Sequence, residues 1–191
     1  MGRSREFDAD EAIDRAIDLF GRRGYAETSL QDLLKELSIG SGSFYAAFGS
    51  KEQLYLRALK RYSALQAKAF MEVLEQPSGI RPAVHQLLSG IVEADLSEAS
   101  RGCLTVNTAT QCSTRGEASD RVLSAMRQVE SFLAGALEQA KSRGELSPDK
   151  NSAELARFLT TFIQGLRVIG RAKLGRSFAE DALTIAMRTL D

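Results

Sequence analysis

The sequence predicts an all-α protein of about nine helices. Three observations carry that reading. Apolar residues recur at i, i+3, i+4 and i+7 through most of the 191 residues, no stretch of strand length alternates apolar with polar side chains, and the three prolines all fall at junctions. An apolar content of 43% is ordinary for a chain that buries a core, so a disordered chain is not expected.

The elements follow in order. Ala9, Ala12, Ile13, Ala16, Ile17 and Phe20 form one apolar stripe of a first helix, opened by Asp8 with Glu11 three residues on and stopped at Gly24. Thr28 with Gln31 has the spacing of a second capping box, and Leu30, Leu33, Leu34 and Leu37 line one face of the short helix it opens. The stretch "SIGSGSFYAAFGSK", residues 38–51, comes next; it contains three glycines, no acid, and one terminal lysine. A long helix from Lys51, with Leu54, Ala58, Leu65, Ala69 and Val73 on its apolar side, runs to the "PSG" break at 77–79. A fifth helix has Pro82 in its first turn, where a missing N–H does no harm, and "GCLTVNTATQC" begins a sixth. Val122, Met126, Val129, Leu133 and Leu137 mark a long seventh that ends at Gly144, and two more helices lie around 150–172 and 176–190.

Charge and composition narrow the function. The formal net charge is zero, and the residues up to Arg61 are also balanced, so any cationic surface must arise from arrangement and not from excess. No early segment has the apolar centre of a signal peptide, no run suits a membrane span, and two cysteines, Cys103 and Cys112, fit a reducing compartment. A cytoplasmic protein with no membrane partner is expected. The single histidine, His85, has no Cys, Asp or Glu at ligand spacing beside it, so no metal site and no cofactor are expected. There is no nucleophile–base pair, no Gly-rich phosphate loop and no carboxylate pair in an apolar setting, which argues against an all-α enzyme.

A short helix, a tight turn and a second short helix that starts with small polar residues is the helix-turn-helix plan. The second helix must be slim enough to enter a major groove. Ile39, Phe44 and Phe48 can face inward, which leaves Gly40, Ser41, Gly42, Ser43 and Tyr45 facing out. Through "AIDLFGRRGYAETSLQDLLKELSIGSGSFYAAFGSKEQLYLRAL" the chain closely resembles the DNA-binding domain of the tetracycline-repressor (TetR) family, over roughly residues 8 to 60. The resemblance implies a DNA-binding domain over 1–50 and a ligand-binding and dimerisation domain over 51–191. It implies that Thr28, Ser43, Tyr45 and Lys51 bind phosphates, and that Ser41, with the backbone at Gly40 and Gly42, faces base edges. The chain departs from the family pattern at Ser38, where the turn usually has Gly, and at Ala47, where His or Tyr often contacts phosphate. Arg3 and Arg5 are candidates to compensate, on phosphates or in the minor groove beside the site.

The same resemblance implies a homodimer on a palindromic double-stranded operator, released by a small-molecule inducer. The helix from Ala153 is apolar on two stripes, so it buries a second face. Phe158, Phe162, Leu166, Ile169 and Ile185 are the expected dimer residues. Phe70, Leu87, Leu88, Leu104, Asn107, Met126, Phe132 and Phe162 are candidates for the ligand pocket. Asn107, Gln111, Gln164 and Arg167 stand out as polar residues in apolar neighbourhoods. Cys103, after Gly102 and Arg101 at a helix start, is a candidate redox or electrophile sensor, and control by a thiol or by a protein partner is the alternative to an inducer.

Overall fold

A computed structural model describes residues 8–97, 102–111 and 116–191. Among them are nine α-helices and no strand: α1 (Ala9–Arg23), α2 (Leu30–Leu37), α3 (Ser41–Phe48), α4 (Lys51–Leu74), α5 (Ile80–Leu96), α6 (Leu104–Gln111), α7 (Glu117–Ser142), α8 (Ser152–Ala172) and α9 (Arg176–Met187). A 3-10 turn over Arg188–Leu190 follows. Arg3, Arg5, Arg101 and Cys112 lie outside the described residues. No helix among the described residues is long and apolar enough to cross a membrane.

The chain forms two compact units and crosses between them after Ser63 within α4, after Gly102, and after Val122 within α7. The first unit contains α1, α2, α3, the first half of α4, α6 and the start of α7. Asp8 caps α1 by accepting from the backbone N–H groups of Asp10 and Glu11, as its sequence position indicates. Gly24 ends the helix at φ 86°, a conformation that disfavours any side chain. Phe20, Leu33, Phe44, Phe48 and Leu54 are fully buried in this unit. Phe20 meets Tyr55 edge-on at 4.9 Å, and Tyr25 packs on Tyr55 at 4.6 Å, so three aromatic rings join α1, the α1–α2 turn and α4. Asp14 of α1 accepts two hydrogen bonds from the Arg61 guanidinium of α4, at 2.5 and 2.6 Å.

α6 belongs to this first unit although it lies far along the chain. The buried Asn107 amide donates to the Gly21 carbonyl at 2.6 Å, and the Tyr55 and Thr108 hydroxyls share a hydrogen bond of 2.7 Å. A Cβ at Gly24 would meet the side chain of Gln111, so glycine there also makes room for α6.

In the second unit α5 packs on α8 and α9, and α8 packs on α9. Its core is built by Val84, Leu88 and Ile91 of α5, Leu133 and Leu137 of α7, Leu159, Ile163 and Leu166 of α8, and Leu183 of α9. Polar ties hold the ends: Glu145 accepts from the Ile80 N–H at 2.8 Å, and Ser152 donates to Glu138 at 2.7 Å.

Candidate nucleic-acid interface

The helix-turn-helix is set by α2, the turn at Ser38–Gly40, and α3. Thr28 does not cap α2. Its side chain is fully buried and its hydroxyl donates back to the Gly24 carbonyl at 2.7 Å, so it presents no free donor to a phosphate. The cap is Ser29, whose hydroxyl accepts from the Asp32 N–H at 3.1 Å while Asp32 accepts from the Ser29 N–H at 2.9 Å. Both the Ser29 hydroxyl and the Ser29 N–H stabilise the ionised Asp32 carboxylate, helped by Arg23 at 2.8 Å, and hold its pKa at about 2. The expected Thr28–Gln31 box is therefore displaced by one residue.

Ser38 occupies the left-handed region, φ 56° and ψ 41°, and its N–H closes the last turn of α2 on Leu34 and Lys35. The departure from glycine seen in the sequence thus falls at a position where a side chain is strained.

α3 is bare on its outer side. It has no charged residue in its first or last turn, and its cap, Gly40, supplies no side-chain hydrogen bond to the N–H groups that open the helix. Phe44 and Phe48 are fully buried, with ring centroids 5.6 Å apart, and they anchor the helix. Ile39, expected inward, is half-buried. Ser41, Gly42, Ser43, Tyr45 and Ala46 are exposed. Tyr45 packs its ring edge-on against Phe44 at 5.6 Å and remains 52% exposed, so the phenol reaches outward from a fixed ring. Arg57 of α4 donates to the Ala47 carbonyl at 3.1 Å, which closes the C-terminal end of α3. That role was not foreseen, although a basic residue shortly after a short helix is the available signal.

Neither Gly40 nor Gly42 is needed by the fold. Neither has a positive φ, and a Cβ built on either would have no heavy atom of the described residues within 4 Å. Glycine in a helix costs about 0.5–1 kcal/mol relative to alanine. Among the described residues nothing packs against Gly42 that would account for a glycine there.

Lys51 opens α4, where a cation opposes the helix dipole. Its ammonium lies 4.2 Å from the Tyr25 ring centroid, an aromatic seat that offsets the poor placement, and partial burial lowers its pKa. Tyr45 therefore follows the exposed first turn of the uncharged α3, and Lys51 follows its C-terminal end at the start of α4.

The remaining candidates separate. Phe70, Leu87 and Leu88 are buried in the second unit, and Met126, Phe132 and Phe162 are half-buried there. Leu104 and Asn107 do not join them. Leu104 is a core residue of the first unit, and Asn107 is committed to the Gly21 carbonyl, so neither lines a site in the second. Leu166 is likewise a core residue, 3% exposed, and is not available to a dimer face. Phe158 and Ile185 are exposed, Phe162 and Ile169 half-buried, and Phe158 stacks on Phe162 at 6.0 Å. Val168, Leu174 and Phe178 are also large, apolar and exposed, and sequence periodicity alone did not single them out. Cys103 is half-buried, and the Tyr62 hydroxyl donates to its Sγ at 3.6 Å. Among the described residues no three potential metal ligands come together.

Residues 12–58 match the family described as "Bacterial regulatory proteins, tetR family", and residues 70–188 match "Tetracyclin repressor-like, C-terminal domain". The chain is 32% identical to YezE of Bacillus subtilis (strain 168), an uncharacterized HTH-type transcriptional regulator, over the whole of both chains. It is 31% identical to the HTH-type transcriptional repressor ComR of Escherichia coli (strain K12), over 89% of this chain and 82% of that one. In structure it is similar to a cysteine-substituted form of the TetR family regulator CifR, solved with a 26-bp double-strand operator DNA. There the TM-score is 0.86 and the identity 30%, with both chains fully covered.

Proposed function

The chain belongs to the TetR family of bacterial regulatory proteins and is a DNA-binding transcriptional regulator, not an enzyme; on that premise we propose that it is a homodimeric repressor, acting in the cytoplasm and released from its operator by a small molecule. The DNA-binding part is assigned to residues 1–50 and the sensing and dimerisation part to 51–191.

The observation that carries the reading is α3: anchored by Phe44 and Phe48, free of charge, and small on its outer face without an internal reason. Such a helix suits the floor of a major groove, where a carboxylate would meet phosphate and a bulky side chain would hold the backbone away. Ser41, Gly42 and Ser43 face the bases and nearby phosphates, and the uncapped N–H groups behind Gly40 act as further donors. Tyr45 and Lys51 hold phosphates. Thr28 contributes through the position it gives Ser29 and α2, its own hydroxyl being taken.

A two-fold protein reads two half-sites. The exposed Phe158, Phe178 and Ile185 on α8 and α9 support self-association, because large apolar side chains gathered on two successive helices favour a partner surface. α4 and α7 are each continuous across the boundary between the two units, so a change in the second unit has two unbroken helices along which to reach the first. Selection from a randomised duplex pool by the purified protein tests the proposal. It should enrich an inverted repeat with half-sites about one helical turn, ~34 Å, apart. Enrichment of an asymmetric sequence, or of none, contradicts it.

One observation favours a second input. Cys103 is half-buried beside Tyr62 in the first unit, where oxidation or alkylation would disturb α6. If that input operates, an electrophile releases the wild type from DNA but not Cys103→Ser; identical release of the two excludes it.

A further inference from the structure

α8 carries Thr160, Gln164 and Arg167 along one flank, beside its buried Leu159, Ile163 and Leu166. The residues of this flank are half-buried, but several of their polar atoms are shut off from solvent. Thr160 Oγ1 and Gln164 Oε1 are buried and have no hydrogen-bond partner among the described residues. From α5 comes Asp95, whose Oδ1 accepts from the Arg167 guanidinium at 3.1 Å, with the two side chains only 8% and 12% exposed. Asp95 Oδ2 is the third buried oxygen without a partner. Asp95 is seated closely: a Cβ at Gly170 would lie 2.4 Å from its own Cβ, so glycine at that position lets the carboxylate lie against α8.

A buried polar atom left unpaired is destabilising, and three within one unit call for a partner. Their chemistry selects it. Asp95 Oδ2 and Gln164 Oε1 only accept, and Thr160 Oγ1 both accepts and donates. Arg167 already neutralises Asp95, so a charged molecule would be desolvated here without a counter-charge. From Thr160 to Arg167 the rise along α8 is ~10 Å.

We propose that Asp95, Thr160, Gln164 and Arg167 form the polar wall of the small-molecule site of the second unit. The site takes an uncharged ligand with hydroxyl or amide N–H donors spaced over ~10 Å on an apolar body. This rests on the reading that the regulator responds to a small molecule.

Thermal shift of the full-length protein tests it, with α,ω-alkanediols of increasing length, their dimethyl ethers and the matching dicarboxylates as probes. Diols whose hydroxyls span the flank should raise Tm, and ethers and dicarboxylates should not. In Thr160→Val/Gln164→Met the ligand-free protein should melt higher, because two unpaired polar groups are gone, and the affinity for the diol should fall about tenfold or more. If that double variant does not fold, Gln164→Met alone should show both effects. Ethers or dicarboxylates that shift Tm as well as diols, or a variant that keeps the diol shift, overturn the polar wall and leave small-molecule control standing. No shift with any class also overturns the polar wall, and only a chemically broad screen without a stabiliser would overturn small-molecule control.

Discussion

Gly42→Ala separates folding from DNA binding in a single substitution. Gly42 lies in the first turn of α3 without a positive φ, and an added Cβ meets nothing within 4 Å. The substitution therefore gains helix propensity, at most about 0.5–1 kcal/mol, the figure for a helix interior, with no clash among the described residues to offset it. For a chain of this size that raises Tm by about 1–4 °C. On DNA the sign reverses. If the outer face of α3 rests on the groove floor, the methyl group overpacks a close contact, at about 1–3 kcal/mol. The two half-sites of a dimer both incur that cost, so affinity should drop more than about tenfold. Thermal denaturation and fluorescence anisotropy on the duplex selected by the wild type give the two numbers. A variant that is more stable and binds equally well would refute the argument that the smallness of α3 serves the groove.

Other outcomes follow from the same structure. Ser38→Gly relieves a left-handed non-glycine residue while adding chain entropy to the unfolded state, a net stabilisation of about 0.5–1 kcal/mol readable in urea unfolding. Phe178→Glu/Ile185→Glu places charge on two exposed apolar side chains, so the protein should stay folded and sediment as a monomer; an unchanged dimer removes α9 from the interface. Asp32 has a folded pKa of about 2, below its unfolded value near ~3.9. Its contribution is present above the unfolded value and lost as pH falls towards 2, so Asp32→Asn should flatten the stability profile in that window.

The helices were legible because each buries one stripe against a core, and a 3.6-residue period records that directly. The Phe44 and Phe48 anchors, the exposed Ser41 to Ser43 and the strained Ser38 could all be read from residues 38–51. The α2 cap could not be settled. Thr28–Gln31 and Ser29–Asp32 both have the box spacing, and only the burial of Thr28 under the Gly24 carbonyl decides between them. Asn107 was misread for a different reason. A polar residue among apolar ones looks the same whether it faces a ligand or a distant carbonyl, and its partner Gly21 is 86 residues away. Leu166 lies on the boundary between the two apolar stripes of α8, and only packing shows that it turns to the core. Gln164 and Arg167 stood out in the sequence; Asp95, which completes their flank, did not, because its ion-pair partner Arg167 is 72 residues away.

The most direct test of the DNA interface is the salt dependence of operator binding by Lys51→Ala beside the wild type. Each lysine that neutralises a phosphate contributes about 0.9 to the slope of log K against log salt. With Lys51 on phosphate in both half-sites of a homodimer, the slope should fall by about 2, while Tyr45→Phe weakens binding and leaves the slope alone. Parallel lines for Lys51→Ala and wild type would contradict the assignment of Lys51, and with it the placement of the α3 face on DNA.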